Sequence, residues 1–94
     1  LSAVEKGTVQ SAVLAGLKDP DSARFGAMSA SKDLDGVVVI CGLVNARNSF
    51  GGYVGMSPYY GVFSQGRFIV GDIGSNQDKA TSILKVCQQM RVDL

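Results

Sequence analysis

The chain has 94 residues, 46% of them hydrophobic and 18% charged, with 9 Lys+Arg against 8 Asp+Glu, 2 Cys, no Trp and no His. That is one small domain, residues 1–94, too short to bury a large core and therefore one in which a covalent brace matters. A net charge of +1 without a Lys/Arg cluster gives no electrostatic footprint for nucleic acid or an anionic membrane. The lack of His removes the usual general base of Ser and Cys hydrolases and the commonest metal ligand, and two Cys cannot make a four-ligand zinc site. The expectation is a protein that is not an enzyme, with no cofactor, no metal and no nucleic-acid partner.

In chain order, Ser2-Ala3-Val4-Glu5 has the S-x-x-E form of a capping box and predicts a helix start. Val9, Ala12, Val13, Gly16 and Leu17 recur at three- and four-residue steps as one apolar face, and Asp19-Pro20 ends the helix. Gly7 inside it weakens the helix by roughly 1 kcal/mol relative to Ala, so it depends on tertiary packing. From Ala23 the period changes: Phe25, Ala27 and Ser29 alternate with Arg24, Gly26 and Met28, and Asp33-Leu34-Asp35-Gly36 is a turn cluster, so a strand and hairpin are expected.

Val37 to Val44 is the most β-branched run in the chain and predicts a central strand covered on both faces. After a loop rich in Gly and Asn, Tyr59–Phe63 and Arg67–Gly71 read as two strands joined at Ser64-Gln65-Gly66, where the Gly suits a positive-φ turn. Ser75-Asn76-Gln77-Asp78 offers a second helix start, followed by Ala80, Ile83, Leu84, Cys87 and Met90 at helical spacing. The order α-β-β-β-β-α, with consecutive strands, predicts an α+β fold: an antiparallel sheet of about four strands with the N- and C-terminal helices on one face.

Cys41 lies in the central apolar strand and Cys87 on the apolar face of the last helix, so both point into a layer between sheet and helix. A disulfide there closes a loop of about 47 residues, worth on the order of 4 kcal/mol in the chain-entropy model. Two buried free thiols are the alternative, and a catalytic thiol is disfavoured because no His activates either one.

Six of the seven aromatic residues fall between positions 50 and 68. The segment Asn45 to Tyr60 combines Gly, Asn, Arg and aromatic residues, types suited to an exposed interface loop, although the aromatics equally suit a twisted hairpin whose rings face the core. A phosphate-cradling reading of the glycines is weak, because they are followed by Met56-Ser57-Pro58 and not by a helix start. Among the acids, Asp72 alone sits at a strand end where a perturbed carboxylate is plausible, and it has no evident partner; the others suit turns and caps.

The blocks Lys18-Asp19-Pro20-Asp21-Ser22-Ala23-Arg24-Phe25 and Cys41-Gly42-Leu43-Val44-Asn45-Ala46-Arg47-Asn48-Ser49-Phe50-Gly51-Gly52-Tyr53 resemble a family of small exported bacterial proteins, periplasmic or lipid-anchored, with K-D-P-x-S-A-x-F and C-G-x-V-N-x-x-N-x-x-G-G-Y motifs and a second Cys in a C-terminal helix. The resemblance implies a Cys41–Cys87 disulfide and a periplasmic location. The start at Leu1 fits removal of a secretory signal as well as it fits a truncation, and no lipid-attachment Cys stands there, so membrane anchoring stays open. Some members resemble immunity proteins against peptidoglycan-hydrolase effectors of type VI secretion. The function expected on that basis is an inhibitor with a protein partner, a cell-wall hydrolase, bound through Asn45, Arg47, Asn48, Ser49, Phe50, Tyr53, Met56, Tyr59 and Tyr60. The alternative is a non-catalytic structural or accessory component of the envelope or of a secretion apparatus.

Overall fold

The computed structural model describes residues 2–17, 19–32, 35–45, 55–74 and 76–92. It has the expected α+β order: α1 (Ala3–Ala15), a single 3-10 turn (Pro20–Ser22), β1 (Arg24–Lys32), β2 (Val38–Asn45), β3 (Ser57–Ser64), β4 (Arg67–Ile73) and α2 (Gln77–Gln89). The strands form one antiparallel sheet in the order β1-β2-β3-β4.

The local signals act as the residues dictate. The Ser2 hydroxyl accepts from the Glu5 N–H at 3.1 Å while the Glu5 carboxylate accepts from the Ser2 N–H at 2.9 Å, closing the capping box. Those bonds, the one from the Ser2 backbone first, hold the Glu5 carboxyl below its ordinary range. At the end of the first helical segment, Pro20 opens the 3-10 turn and the Ser22 hydroxyl donates to the Asp19 carbonyl at 2.7 Å. Gln65 and Gly66 both take positive φ, 53° and 76°, which lets two residues turn β3 into β4. Asn76 caps α2 by accepting from the Lys79 N–H at 2.9 Å.

The packing departs from expectation in one major respect: the two helices lie on opposite faces of the sheet. Val9 and Val13 of α1 share a core with Ile40, Val44, Tyr59 and Phe68, whereas Ile83 and Cys87 of α2, with Val92 beyond it, share a core with Val39 and Cys41. Side chains of successive strand residues point to opposite faces, so Val39 and Cys41 cannot look the same way as Ile40. Val39, Ile40 and Cys41 are all at most 5% exposed, which makes β2 the doubly covered strand its composition predicts. A single covered face is incompatible with that burial.

The period of β1 is also corrected. The pairing with β2 shifts between Phe25 and Met28, so the β-bulge there puts Phe25, Met28 and Ala30 opposite Val44, Gly42 and Ile40. Strict alternation through Ala27 therefore fails. In α2, Ile83 and Cys87 are buried as expected, but Leu84 remains 43% exposed and Met90, which caps the helix, 38%.

Cys41 and Cys87 form a disulfide with Sγ atoms 2.06 Å apart and Cα atoms 6.3 Å apart. It ties the doubly covered strand to the last helix. Alkylation in denaturant without reductant will modify neither cysteine, and reduction will add two reactive thiols; two free thiols before reduction would contradict the bond.

Three glycines admit rings. A Cβ on Gly42 would overlap the Tyr59 hydroxyl and ring, one on Gly61 the Phe68 ring and the Ile69 carbonyl, and one on Gly71 the Tyr60 ring. Gly42→Ala is expected to destabilise the fold by about 2–3 kcal/mol, read as a lowered urea midpoint at unchanged slope, because the overlap lies against a fully buried side chain.

Candidate functional site

Of the residues expected to bind a partner, the described ones, Asn45, Met56, Tyr59 and Tyr60, do not form one surface. Arg47, Asn48, Ser49, Phe50 and Tyr53 lie outside the described residues. On the described residues beside them, Asn45 ends β2, opposite Arg24 of β1, and the last β2–β3 pair is Val44 with Ser57.

Tyr59 is corrected from surface anchor to core residue. It is 0% exposed, its ring lies across Gly42, and it meets the Phe25 ring edge-on at a centroid distance of 6.5 Å and an interplanar angle of 86°. The cause is register: Tyr59 pairs directly with Gly42, whose missing side chain makes room for it. Its hydroxyl has no hydrogen-bond partner, and burial pushes its pKa up to about 12.

Tyr60 points to the other face. It is half-buried beside the Cys41–Cys87 core and over Gly71, so it serves to pack the α2 side of the sheet. Asn45 is half-buried, and its Oδ1 is enclosed without a hydrogen-bond partner.

Met56 lies at the surface. It is 50% exposed, and its methyl group stands 3.0 Å from where a Cβ on Gly26 would be. This brings β1 into the site. Arg24, exposed and paired in register with Asn45, joins Met56 and Gly26 at the same end of the sheet. The sequence gives no sign of Arg24 and Gly26 here, because they lie far from Asn45 along the chain and only the strand pairing makes them neighbours; the residue types themselves, a lone Arg and a Gly, carry no signal.

Asp72 uses its carboxylate locally, accepting from the Ile73 N–H at 2.8 Å. Among the described residues no group of three or more His, Cys, Asp or Glu is placed to hold a metal, and no helix is long and apolar enough to cross a membrane. Comparison with protein-family models, with curated proteins and with solved structures finds no match to this chain.

The Tyr59 hydroxyl yields a pH prediction. Its folded pKa is raised above the ordinary value of 10.0, so the stability it confers is fully present below pH 10 and is lost as pH rises through about 12, because the unfolded chain releases the proton first. Tyr59→Phe removes both this loss and an enclosed unpaired hydroxyl, and is expected to be neutral to stabilising by about 1 kcal/mol at pH 7. Urea unfolding of both proteins at pH 7 and at pH 11 measures this; a variant that is less stable at pH 7 and equally sensitive at pH 11 would refute it.

Proposed function

We propose that this protein is a periplasmic immunity protein that binds and blocks a peptidoglycan hydrolase, acting without a reaction of its own. The observation that carries the reading is the exposure of Met56 and Arg24 at one end of a sheet whose strand β2 is enclosed on both faces and bonded through Cys41 to α2. Side chains carried on such a rigid support lose little freedom when they dock, which favours tight binding.

The chemistry of the rim agrees. Arg24 and Met56 are exposed there, and Arg and Met are enriched in protein interfaces. An Arg guanidinium binds a carboxylate through two parallel hydrogen bonds, and glycan-cleaving clefts carry paired acids. Arg47, with Asn48 and Ser49, adds the same chemistry in the sequence between them. The disulfide supports an oxidising compartment, since such bonds persist outside the cytosol.

A second reading has one observation in its favour. β1 is an outer strand whose residues Phe25 to Ser31 are uncharged, and an edge of that kind can accept a strand from a permanent neighbour in an envelope assembly.

The test is capture of the partner from the native envelope with the oxidised protein, followed by peptidoglycan turnover by the captured enzyme with and without the protein. Inhibition is expected, weakened about thirty-fold by Arg47→Ala and by Arg24→Glu with Met56→Asp, and unchanged by Lys85→Glu on α2. Loss of binding through Lys85→Glu alone would place the interface on the helix, and a partner without wall-cleaving activity would favour the envelope-component reading.

A further inference from the structure

The two cores on the two faces of the sheet are unequal, and the disulfide belongs to the smaller. The α1 side joins Val9 and Val13 to buried residues of β2, β3 and β4, with Phe25 and Met28 of β1 packed against them, so every strand contributes to it. The α2 side consists of Ile83, Cys87 and Val92 against Val39 and Cys41, with Tyr60 partly buried beside them.

Apart from the bond, α2 rests on β3 and β4 through a narrow buried face. Of its 13 residues only Ile83 and Cys87 are buried, and a helix of this length is marginal in water by itself. Its entry is fixed at Gly74, whose N–H donates to the Pro58 carbonyl at 2.8 Å and whose backbone lies close to Ala80. Its exit turns back to the sheet through Arg91, which takes a positive φ of 59°; the Arg91 and Val92 N–H groups donate to the Gln88 and Cys87 carbonyls, and Val92 reaches the core. Between those points the fully buried attachments are Ile83 and the sulfur–sulfur bond, with Ala80 and Val86 of the helix half-buried.

We propose that the Cys41–Cys87 bond is a redox latch for α2: a dithiol that reduces it releases the helix from the sheet as a unit, while α1 and the four strands stay folded. One thiolate of the dithiol attacks a cysteine sulfur to give a mixed disulfide, and its second thiolate displaces the protein thiol and closes a cyclic disulfide. Two electrons pass from the dithiol to the protein, and two protons end on Cys41 and Cys87. Each sulfur then needs only burial to stay in place, and the helix lacks the apolar area to enforce it. Release uncovers Val39, Cys41 and Tyr60, an apolar strip across β2 and β3. The enclosure of the bond, with Cys41 0% and Cys87 2% exposed, makes reduction wait for a transient opening of the helix.

Amide hydrogen exchange by mass spectrometry on the whole chain, oxidised and then reduced with dithiothreitol, tests the latch. Peptides from α2 are expected to exchange about tenfold faster or more after reduction, with those of α1, β2 and β3 changing less than about threefold. Cys87→Ala, measured without reductant, is expected to give the reduced pattern. Unchanged protection of α2 in the reduced protein would show that packing alone holds it, and loss of protection throughout the chain would show a single cooperative unit; either overturns the proposal, even if the variant fails to fold.

Discussion

Everything in this fold depends on adjacent residues of β2 being buried in opposite directions. Val39 and Cys41 face one side, Ile40 and Val44 the other, and all are nearly inaccessible. A small antiparallel sheet ordinarily leaves one face to water. Here that option is closed by composition, because exposing either row of β2 leaves a stripe of branched apolar side chains uncovered. The chain solves this with one helix before the sheet and one after it, so neither helix needs a long crossover and all strand connections can remain hairpins.

Dividing a short chain between two faces leaves each with a thin core. α1 contributes two buried valines and α2 one isoleucine and a cysteine. The side that gathers residues from all four strands stands on packing, whereas the α2 side has a covalent bond near its centre, which is where a cross-link adds most to a helix that cannot hold itself. The brace and the doubly covered strand are thus one requirement: Cys41 is available for bonding to α2 because β2 presents a second buried face.

Features encoded by near neighbours were legible in the sequence. The Ser2/Glu5 capping box, the Gln65-Gly66 turn, the Asn76 cap and the branched run of β2 each need only a few adjacent residues, and the structure has all of them. Sidedness was not legible, although the means to infer it were present: a continuous apolar run implies two covers, and placing both helices on one face contradicts it. The bulge in β1 was invisible because residues such as Gly26, Ala27 and Ser29 carry too weak a hydrophobic contrast to reveal a change of phase. At the site, Met56 was placed correctly as exposed, Tyr59 was not, and Arg24 could enter only through the pairing of β1 with β2.

The Tyr59 reversal shows what the concentration of glycines and aromatics is for in this part of the chain. Rings in exposed loops and rings laid over strand glycines have the same composition, and the difference lies in register alone. Gly42 receives Tyr59, Gly61 receives Phe68, and Gly71 receives Tyr60, so three rings are accommodated by backbone positions on the sheet that carry no side chain. Each pairing covers backbone that a glycine leaves bare and gives a small sheet large apolar contacts without thickening it. A surface made this way has its aromatics already committed. What the described part of the chain leaves for recognition at this end of the sheet is therefore an exposed cation and a flexible thioether, Arg24 and Met56.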